Sequence, residues 1–385
     1  MSAGSQTSLR VLLVAGEASG DLHGASFLRA LRELVPQVHA LGIGGAKLRA
    51  AGLECLFPAE SLSIMGLPSF KDLQTVFNAF RKTLRVLKDS PPDLLVLIDF
   101  PEFNLLLARF AKRYGVPVFY YISPQVWAWR ERRVKTIKKV VDTMAVILPF
   151  EVDFYARHGF KVHFVGHPLL DVVKPALSRD TFCKLAGLDP TRPLIGFFPG
   201  SRPREVGSLL PLFEETFGLL QESFPQIQGV FVQAPGISEI SLRHPGARVI
   251  RGYQYEVMAQ AEAVLLASGT VTLEAAIVGV PMVVAYKMSP LSFWLAKRLV
   301  RVPFVSLVNL VAQEALVPEL LQKEATPVNL AACLKRFLED PDYAGKIRQK
   351  LRKVREALGP PGAAWRAAEL AARYLRGKSR AIAII

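Results

Sequence analysis

The stretch VLLVAGEASGDLHGA, residues 11–25, decides how the chain is read. Five apolar residues run into a glycine and then into a segment of helical period, the strand, turn and helix that open a parallel α/β sheet. Its glycines, Gly16 and Gly20, have G-x-x-x-G spacing, where a dinucleotide cradle has G-x-G-x-x-G. Glu17 and Asp21 sit beside them, and a pyrophosphate at this helix N-terminus would meet both carboxylates. The turn is therefore a poor dinucleotide site. Capping a helix accounts readily for Asp21 and less readily for Glu17.

The same rhythm extends outward on both sides. A strand over 9–15 leads to a helix with Leu28, Leu31 and Leu34 on one face, then a strand over 38–43 and a second glycine turn, GIGG (42–45), before a helix carrying Leu48. DLLVLIDFP (93–101), a helix over 104–114 and VPVFYYISP (116–124) continue it. After a pause near Gly166-His167-Pro168, a second series begins with PLIGFFPGSR at Pro193. It runs through a helix over 209–223 and the strands GVFVQAP (229–235) and AVLLAS (263–268). Fully apolar strands alternating with helices indicate parallel sheets covered on both faces. The expected fold is α/β with two Rossmann-like, doubly wound domains, 1–172 and 173–358, and a basic helical tail, 359–385. The basic helical stretch itself runs over 346–378 and is interrupted by GPPG (359–362); it either stays solvated or returns to the first domain or to a second subunit. Loops ending in Asp99, Ser123, Arg202, Ser268 and Val305 are expected to converge on a cleft, because ligands of such sheets bind beyond the carboxyl ends of the strands.

Composition bounds the function. With 385 residues, 51% hydrophobic and 21% charged, the chain has material for two packed cores and none of the signature of disorder. Apolar runs fall short of the ~18–20 residues that cross a bilayer, and the N-terminal apolar run is too short for a signal peptide, which implies a cytoplasmic location. Cys55, Cys183 and Cys333 show neither metal-ligand nor C-x-x-C spacing and read as small core residues. A net charge of +15 calls for an anionic partner: nucleic acid, membrane surface or phosphorylated substrate.

Phosphate-friendly turns lie in the second series. FFPGSRPREV (197–206) sets Gly200 and Ser201 after an apolar strand with Arg202 and Arg204 beside them, and LLASGTVTLEAA (265–276) sets Ser268, Gly269 and Thr270 at a helix start with Glu274 one turn in. Backbone N–H groups there suit an anion, and a carboxylate can accept two hydrogen bonds from a ribose diol. Each turn alone is also compatible with an ordinary helix cap.

These motifs, together with SIMGL (63–67), IDFPEFN (98–104), YYISPQVWAWRERRV (120–134), LPFE (148–151), FVGHPLLD (164–171), FWLAKRLV (293–300) and VSLVNL (305–310), occur in the order of one family. Across residues 10–322 the chain resembles lipid-A-disaccharide synthase, an inverting glycosyltransferase of the two-Rossmann GT-B type. The resemblance implies transfer from UDP-2,3-diacylglucosamine to 2,3-diacylglucosamine 1-phosphate, giving a β(1→6) disaccharide and UDP. It also places the donor nucleotide in the C-terminal domain, so the first loop faces sugars and acceptor and can be acidic. GT-B enzymes of this kind use no metal and no cofactor, the helix dipole and cationic side chains taking the metal's part. Asp340-Pro-Asp342, the one D-x-D, reads as a helix cap, and His23 and His167 lack zinc spacing.

Such a transfer needs a base and a cationic clamp. Asp99, in the matching family motif at a strand end, is the first candidate for the base, Glu17 the second and Asp21 the third, with a helix-cap role competing for Asp99. Arg202 and the Gly269 and Thr270 amides are candidates to stabilise the leaving group. Ser201 and Ser268 belong to the same phosphate turns, Glu274 would hold ribose, and Asn309 matches a family position near the donor phosphates or is a satisfied turn residue. Acylated substrates require contact with the inner-membrane surface on its cytoplasmic face. Phe70, Leu73, Phe77, Phe80, Leu84 and Leu87 recur at helical spacing beside Lys71, Arg81, Lys82, Arg85 and Lys88, which suits either an interfacial helix or one packed on the sheet. Met65, Phe293 and Trp294 are further candidates for acyl or membrane contact.

The chain departs from the family pattern at Glu102, where a second Asp is common, at Val308, where Pro is common, and in AQEA (312–315). The resemblance further suggests a homodimer that exchanges C-terminal segments. Two other readings compete: a nucleotide-sugar epimerase of the same fold, which leaves the basic amphipathic stripes unexplained, and a nucleic-acid binder, for which VWAWRERRVK (126–135) is the one segment mixing aromatic and basic residues. Neither predicts the continuous motif order, so no nucleic-acid partner is expected.

Overall fold

In the computed structural model, which describes residues 9–62, 69–289, 293, 298 and 302–382, strand β1 (Leu9–Ala15) lies at the middle of the first sheet. Every residue of β1 except Arg10 is buried, which explains its unbroken apolar run. The strands β2 (Val38–Gly44), β3 (Glu54–Pro58), β4 (Leu94–Ile98), β5 (Val118–Tyr121), β6 (Thr143–Val146) and β7 (His163–Phe164) complete the sheet in the order β3-β2-β1-β4-β5-β6-β7, all parallel. Between β1 and β4 the direction of strand addition reverses, with Ala15 beside Ile98. That switch point sets the loops after β1 and β4 side by side.

The second sheet repeats the plan. Strands β8 (Leu194–Phe198), β9 (Gln228–Gln233), β10 (Ala247–Arg251), β11 (Ala263–Ala267), β12 (Met282–Tyr286) and β13 (Glu319–Leu321) lie parallel in the order β10-β9-β8-β11-β12-β13. Here the reversal falls between β8 and β11, where Phe198 is level with Leu266. The loops carrying Ser201 and Ser268 leave from those two strands.

By packing, the chain divides into one unit ending at Pro168 that also contains the residues from Pro360 onward, and a second from Leu169 to Gly359. The first break falls four residues before the expected end at 172. The last helix, Ala363–Ile382, packs on α1 (Ala18–Leu34) through Ala367, Ala368, Ala371, Ala372 and Leu375, all fully or almost fully buried in the core of the first unit. Alanines on that face let two helices approach closely, and the Gly-Pro-Pro-Gly break after the Pro341–Ala357 helix turns the chain toward them.

Two helices begin earlier than their periodicity indicates. Helix α4 (Pro101–Arg113) starts three residues before 104, and the Pro203–Ser223 helix six residues before 209. Proline at the first helical position explains both, because its missing N–H has no intrahelical partner to lose. The remaining helices of the first unit used below are α2 (Ala46–Ala50) and α3 (Phe70–Asp89). Among the described residues no helix is long and apolar enough to cross a membrane.

Candidate active site

Strand β4 delivers Asp99 through an uncommon turn. Asp99 and Phe100 both have left-handed backbones, with φ of 46° and 48°, before Pro101 starts α4. Two successive non-glycine residues in that region are costly unless their surroundings enforce them. Here the Asp99 carbonyl accepts hydrogen bonds from Asn104 Nδ2 and Tyr120 Oη, each at 2.6 Å, and Asn104 Nδ2 also reaches the Ile98 carbonyl at 3.3 Å. Phe100 folds against Gly16, where an added Cβ would lie 2.4 Å from the ring, so the glycine admits the phenyl group. The main chain of Asp99 is thus clamped while its carboxyl group is left without a side-chain partner among the described residues.

Burial pushes the Asp99 carboxyl up to about 6, and the neighbouring charges of Glu17 and, to a lesser degree, Glu102 push the same way against a backbone N–H from Phe100. Glu17 is the exposed N-cap residue of α1 and makes no side-chain cap. Asp21 differs. It is buried, and its carboxylate accepts N–H bonds from Gly45 at 2.7 Å and from Lys47 and Leu48 at 3.0 Å. It therefore caps α2, the helix after the second glycine turn, where the sequence suggests capping its own helix. A Cβ on Gly45 would lie 2.6 Å from that carboxylate, which accounts for the glycine.

Two further groups border the β5 and β6 loops. Glu151 is buried, accepts N–H bonds from Leu148 at 3.0 Å and from Ile147 and Trp127 at 3.2 Å, and is pushed by burial up to about 7. Ser123 and Tyr155 share a buried hydrogen bond of 2.8 Å. Burial, aided by Lys47, lowers His23 to about 4, and burial with His23 lowers His167 to about 3, so both imidazoles are neutral at pH 7.

In the second unit, Gly200 (φ 124°) turns the chain after β8, and Ser201 and Arg202 lead into the Pro203–Ser223 helix. The Glu205 carboxylate folds back to accept from Ser201 N at 3.3 Å and Arg202 Nη1 at 3.2 Å. Arg202 itself is exposed. After β11, Ser268 Oγ donates to the Val305 carbonyl at 3.2 Å, and Gly269 and Thr270 precede the Val271–Val278 helix, which has no side-chain cap. Glu274 in that helix is pushed up to about 7 by burial alone. Asn309 is buried with both ends of its amide engaged: Nδ2 donates to the Val317 carbonyl at 3.0 Å and to Glu319 at 2.9 Å, and Oδ1 accepts from Val317 N at 3.0 Å. Glu319 also accepts from the Val305 and Ser306 N–H groups at 2.9 Å, so Asn309 supports the loop that receives Ser268.

The two halves of helix α3 lie in different surroundings. Phe70, Leu73 and Phe77 are 84%, 56% and 58% exposed on its first half, whereas Ala79, Thr83 and Leu87 are buried and Phe80 packs edge-on against Phe103 and Phe110 of α4. Arg81 is exposed, and Phe293 half-buried. Met65 and Trp294 lie outside the described residues. Asp340 caps the Pro341–Ala357 helix, accepting from Tyr343 N at 2.8 Å. Among the described residues no cluster of three His, Cys, Asp or Glu is arranged to hold a metal.

Sequence reasoning missed Asn104, Tyr120, Glu205 and Glu319. Asn104 stands in IDFPEFN, five residues after Asp99, and that spacing is its signal. Glu205 stands three and four residues after Arg202 and Ser201, and that helical spacing is its signal; Tyr120 and Glu319 act across sequence separations that no local pattern marks.

Two kinds of likeness bear on identity. Among solved structures, CalG4, a calicheamicin glycosyltransferase, aligns over 95% of this chain and 98% of its own with a TM-score of 0.60 at 17% identity. A UDP-GlcNAc 2-epimerase from Neisseria meningitidis aligns over 96% and 99% with 0.59 at 12%. Both show the GT-B fold and leave open which chemistry it serves. Sequence relatives separate the two. A lipid-A-disaccharide synthase from Geobacter sulfurreducens is 45% identical over 96% of this chain and 98% of its own length, and one from Trichlorobacter lovleyi is 47% identical over 94% and 96%. The family model described as lipid-A-disaccharide synthetase matches residues 11–372, and neither the epimerase nor the nucleic-acid reading is favoured. The chain therefore belongs to the lipid-A-disaccharide synthase family and is a glycosyltransferase acting on a UDP-sugar and a lipid acceptor.

Proposed function

We propose that Asp99 is the general base of the transfer, taking the proton from the 6-hydroxyl of 2,3-diacylglucosamine 1-phosphate as that oxygen attacks the anomeric carbon of UDP-2,3-diacylglucosamine. One C–O bond forms at the anomeric carbon, the bond to the phosphate oxygen breaks with inversion, the proton goes to Asp99, and the electron pair leaves on UDP. The observation that carries this reading is the clamped, left-handed Asp99 turn with its carboxyl raised to about 6. A base poised just below neutral pH is ionised in the cell and retains proton affinity. Glu17 acts as the charge that raises it, and Asp21, with three N–H bonds, is structural.

The donor UDP belongs with the second unit. Ser201, Arg202 and the Gly269 and Thr270 amides meet the diphosphate, Glu274 the ribose hydroxyls, and Ser268 and Asn309 hold the supporting loop. The Glu205 carboxylate, on Ser201 N and Arg202, is the anion that a phosphate would displace. Phe70, Leu73 and Phe77 with Lys71 and Arg81 support peripheral attachment to an anionic bilayer, where the acylated substrates reside.

Disaccharide formation and UDP release by wild type and Asp99→Asn, in detergent with EDTA, test the assignment. Wild-type turnover in EDTA with a loss of ~10²- to 10⁴-fold in the variant is expected. A variant within tenfold of wild type returns the role to Glu17.

A further inference from the structure

We propose that Arg130 and Arg133 form the seat for the anomeric phosphate of the acceptor, a phosphomonoester, and thereby make the enzyme select a phosphorylated acceptor. This rests on the reading of Asp99 as base.

The two guanidinium groups come from the segment after β5, the strand next to β4. Both donate to Glu102 on the first turn of α4: Arg133 Nη1 reaches Glu102 Oε1 at 2.9 Å, and Arg130 Nη1 bonds the same oxygen. Glu102 follows Asp99 by three residues and is close enough for its charge to be felt there. Two cations meet on one carboxylate, and among the described residues the shared Glu102 oxygen engages only one N–H of each guanidinium, which leaves donors of both forks for a further anion. Arg130 is further held over the Trp129 ring, 3.8 Å from its centroid. Trp127, two residues earlier, is anchored by buried Glu151. The segment is thus fixed at one end and offers planar donors at the other.

Chemistry supplies the ligand. In a hexopyranose the 6-hydroxyl and the anomeric oxygen flank the ring oxygen, so the acceptor's phosphate lies about one sugar ring from the base that takes the 6-hydroxyl proton. A dianionic phosphomonoester suits paired guanidinium forks, which bind two oxygens each with geometric selectivity that an ammonium lacks. Glu102 holds the forks in place and is itself held below the ordinary carboxylate range by Arg133 and Arg130, against the upward push of burial.

The test compares acceptors with and without the 1-phosphate, using wild type, Arg130→Ala, Arg133→Ala and the charge-preserving Arg133→Lys. UDP affinity and melting temperature report whether each variant is folded. The expected result is a rise in acceptor KM of roughly 10- to 100-fold for each Ala variant, donor KM unchanged, a collapse of the preference for phosphorylated acceptor, and an intermediate loss in Arg133→Lys. A preference undiminished in folded Ala variants overturns the proposal, as does weakened binding to phosphatidylglycerol vesicles with acceptor preference intact, which would make the pair a lipid-headgroup contact. Failure of the underlying reading is distinct: Asp99→Asn would then retain turnover whatever the arginine variants do.

Discussion

If Asp99 is the base and Glu17 raises its pKa, then Glu17→Gln moves the acid limb of the pH–rate profile to lower pH. With Asp99 near 6 in the free enzyme, about nine-tenths is ionised at pH 7 and about one-tenth at pH 5, so kcat/KM is flat above neutrality and falls roughly tenfold per unit below 6. The raise from 3.8 to about 6 comes first from burial and second from the Glu17 charge. Removing that charge lowers the pKa, and the burial that is the larger cause remains. The assay is initial-rate disaccharide formation in detergent from pH 4.5 to 8.5, at subsaturating acceptor. The acceptor's phosphate also titrates near 6, so a limb in the wild-type profile alone identifies no group. A shift on mutating the enzyme does, since substrate ionisation is the same in both experiments. A plateau within tenfold of wild type with the limb displaced downward is the expected result. An unmoved limb refutes the coupling, and a plateau lost by ~10² or more assigns the proton transfer to Glu17.

The same raised pKa has a consequence for stability. A folded-state pKa above the unfolded value favours the folded protein fully only below about pH 4, and that contribution is lost as pH rises through about 6, so Asp99→Asn should stabilise at pH 7.5 by up to roughly 3 kcal/mol, read as a melting temperature higher by several degrees, with no gain at pH 3.5. Glu274, raised to about 7, should lose its proton when ribose hydroxyls bond to it; uridine affinity by calorimetry, a probe without a phosphate that titrates in this range, then weakens as pH falls from 8 to 6, and Glu274→Gln abolishes that dependence. Replacing Phe70 and Phe77 by Ser should weaken sedimentation with anionic vesicles at least tenfold while leaving melting unchanged, because both rings are already exposed; equal sedimentation would remove α3 from the membrane contact.

Much of this architecture was legible because strands buried on both faces must be continuously apolar, and of the strands next to a switch point β4, β8 and β11 are, as is β1 after Arg10. Legibility ended where a residue's partner lies far along the chain. Asp21 lies beside a glycine turn and invites a catalytic or local capping role, yet its partners are Gly45, Lys47 and Leu48, more than twenty residues later. Asn309 matched a family position near phosphate, and its amide is spent on Val317 and Glu319. The left-handed pair Asp99-Phe100 follows no propensity; it exists because Asn104 and Tyr120 hold the carbonyl and Gly16 leaves room for the Phe100 ring. Helix α3 could not be assigned to one environment because its two halves occupy different ones.

The opening acidity of the chain follows from how each unit treats the N–H groups at its strand-to-helix turns. In the first unit two of these turns hold the protein's own buried carboxylates, Asp21 on the turn into α2 and Glu151 on Ile147 and Leu148. A phosphate arriving there would have to displace a carboxylate already desolvated and bonded, which is unfavourable. In the second unit the carboxylate that meets the turn after β8, Glu205, pairs with an exposed arginine. Arg202 is exposed and Glu205 is only partly buried, so a diphosphate at the proposed donor site would displace a carboxylate held less deeply than Asp21. On the proposed reading, one repeated strand-turn-helix element would serve two uses, according to how deeply the resident carboxylate is held.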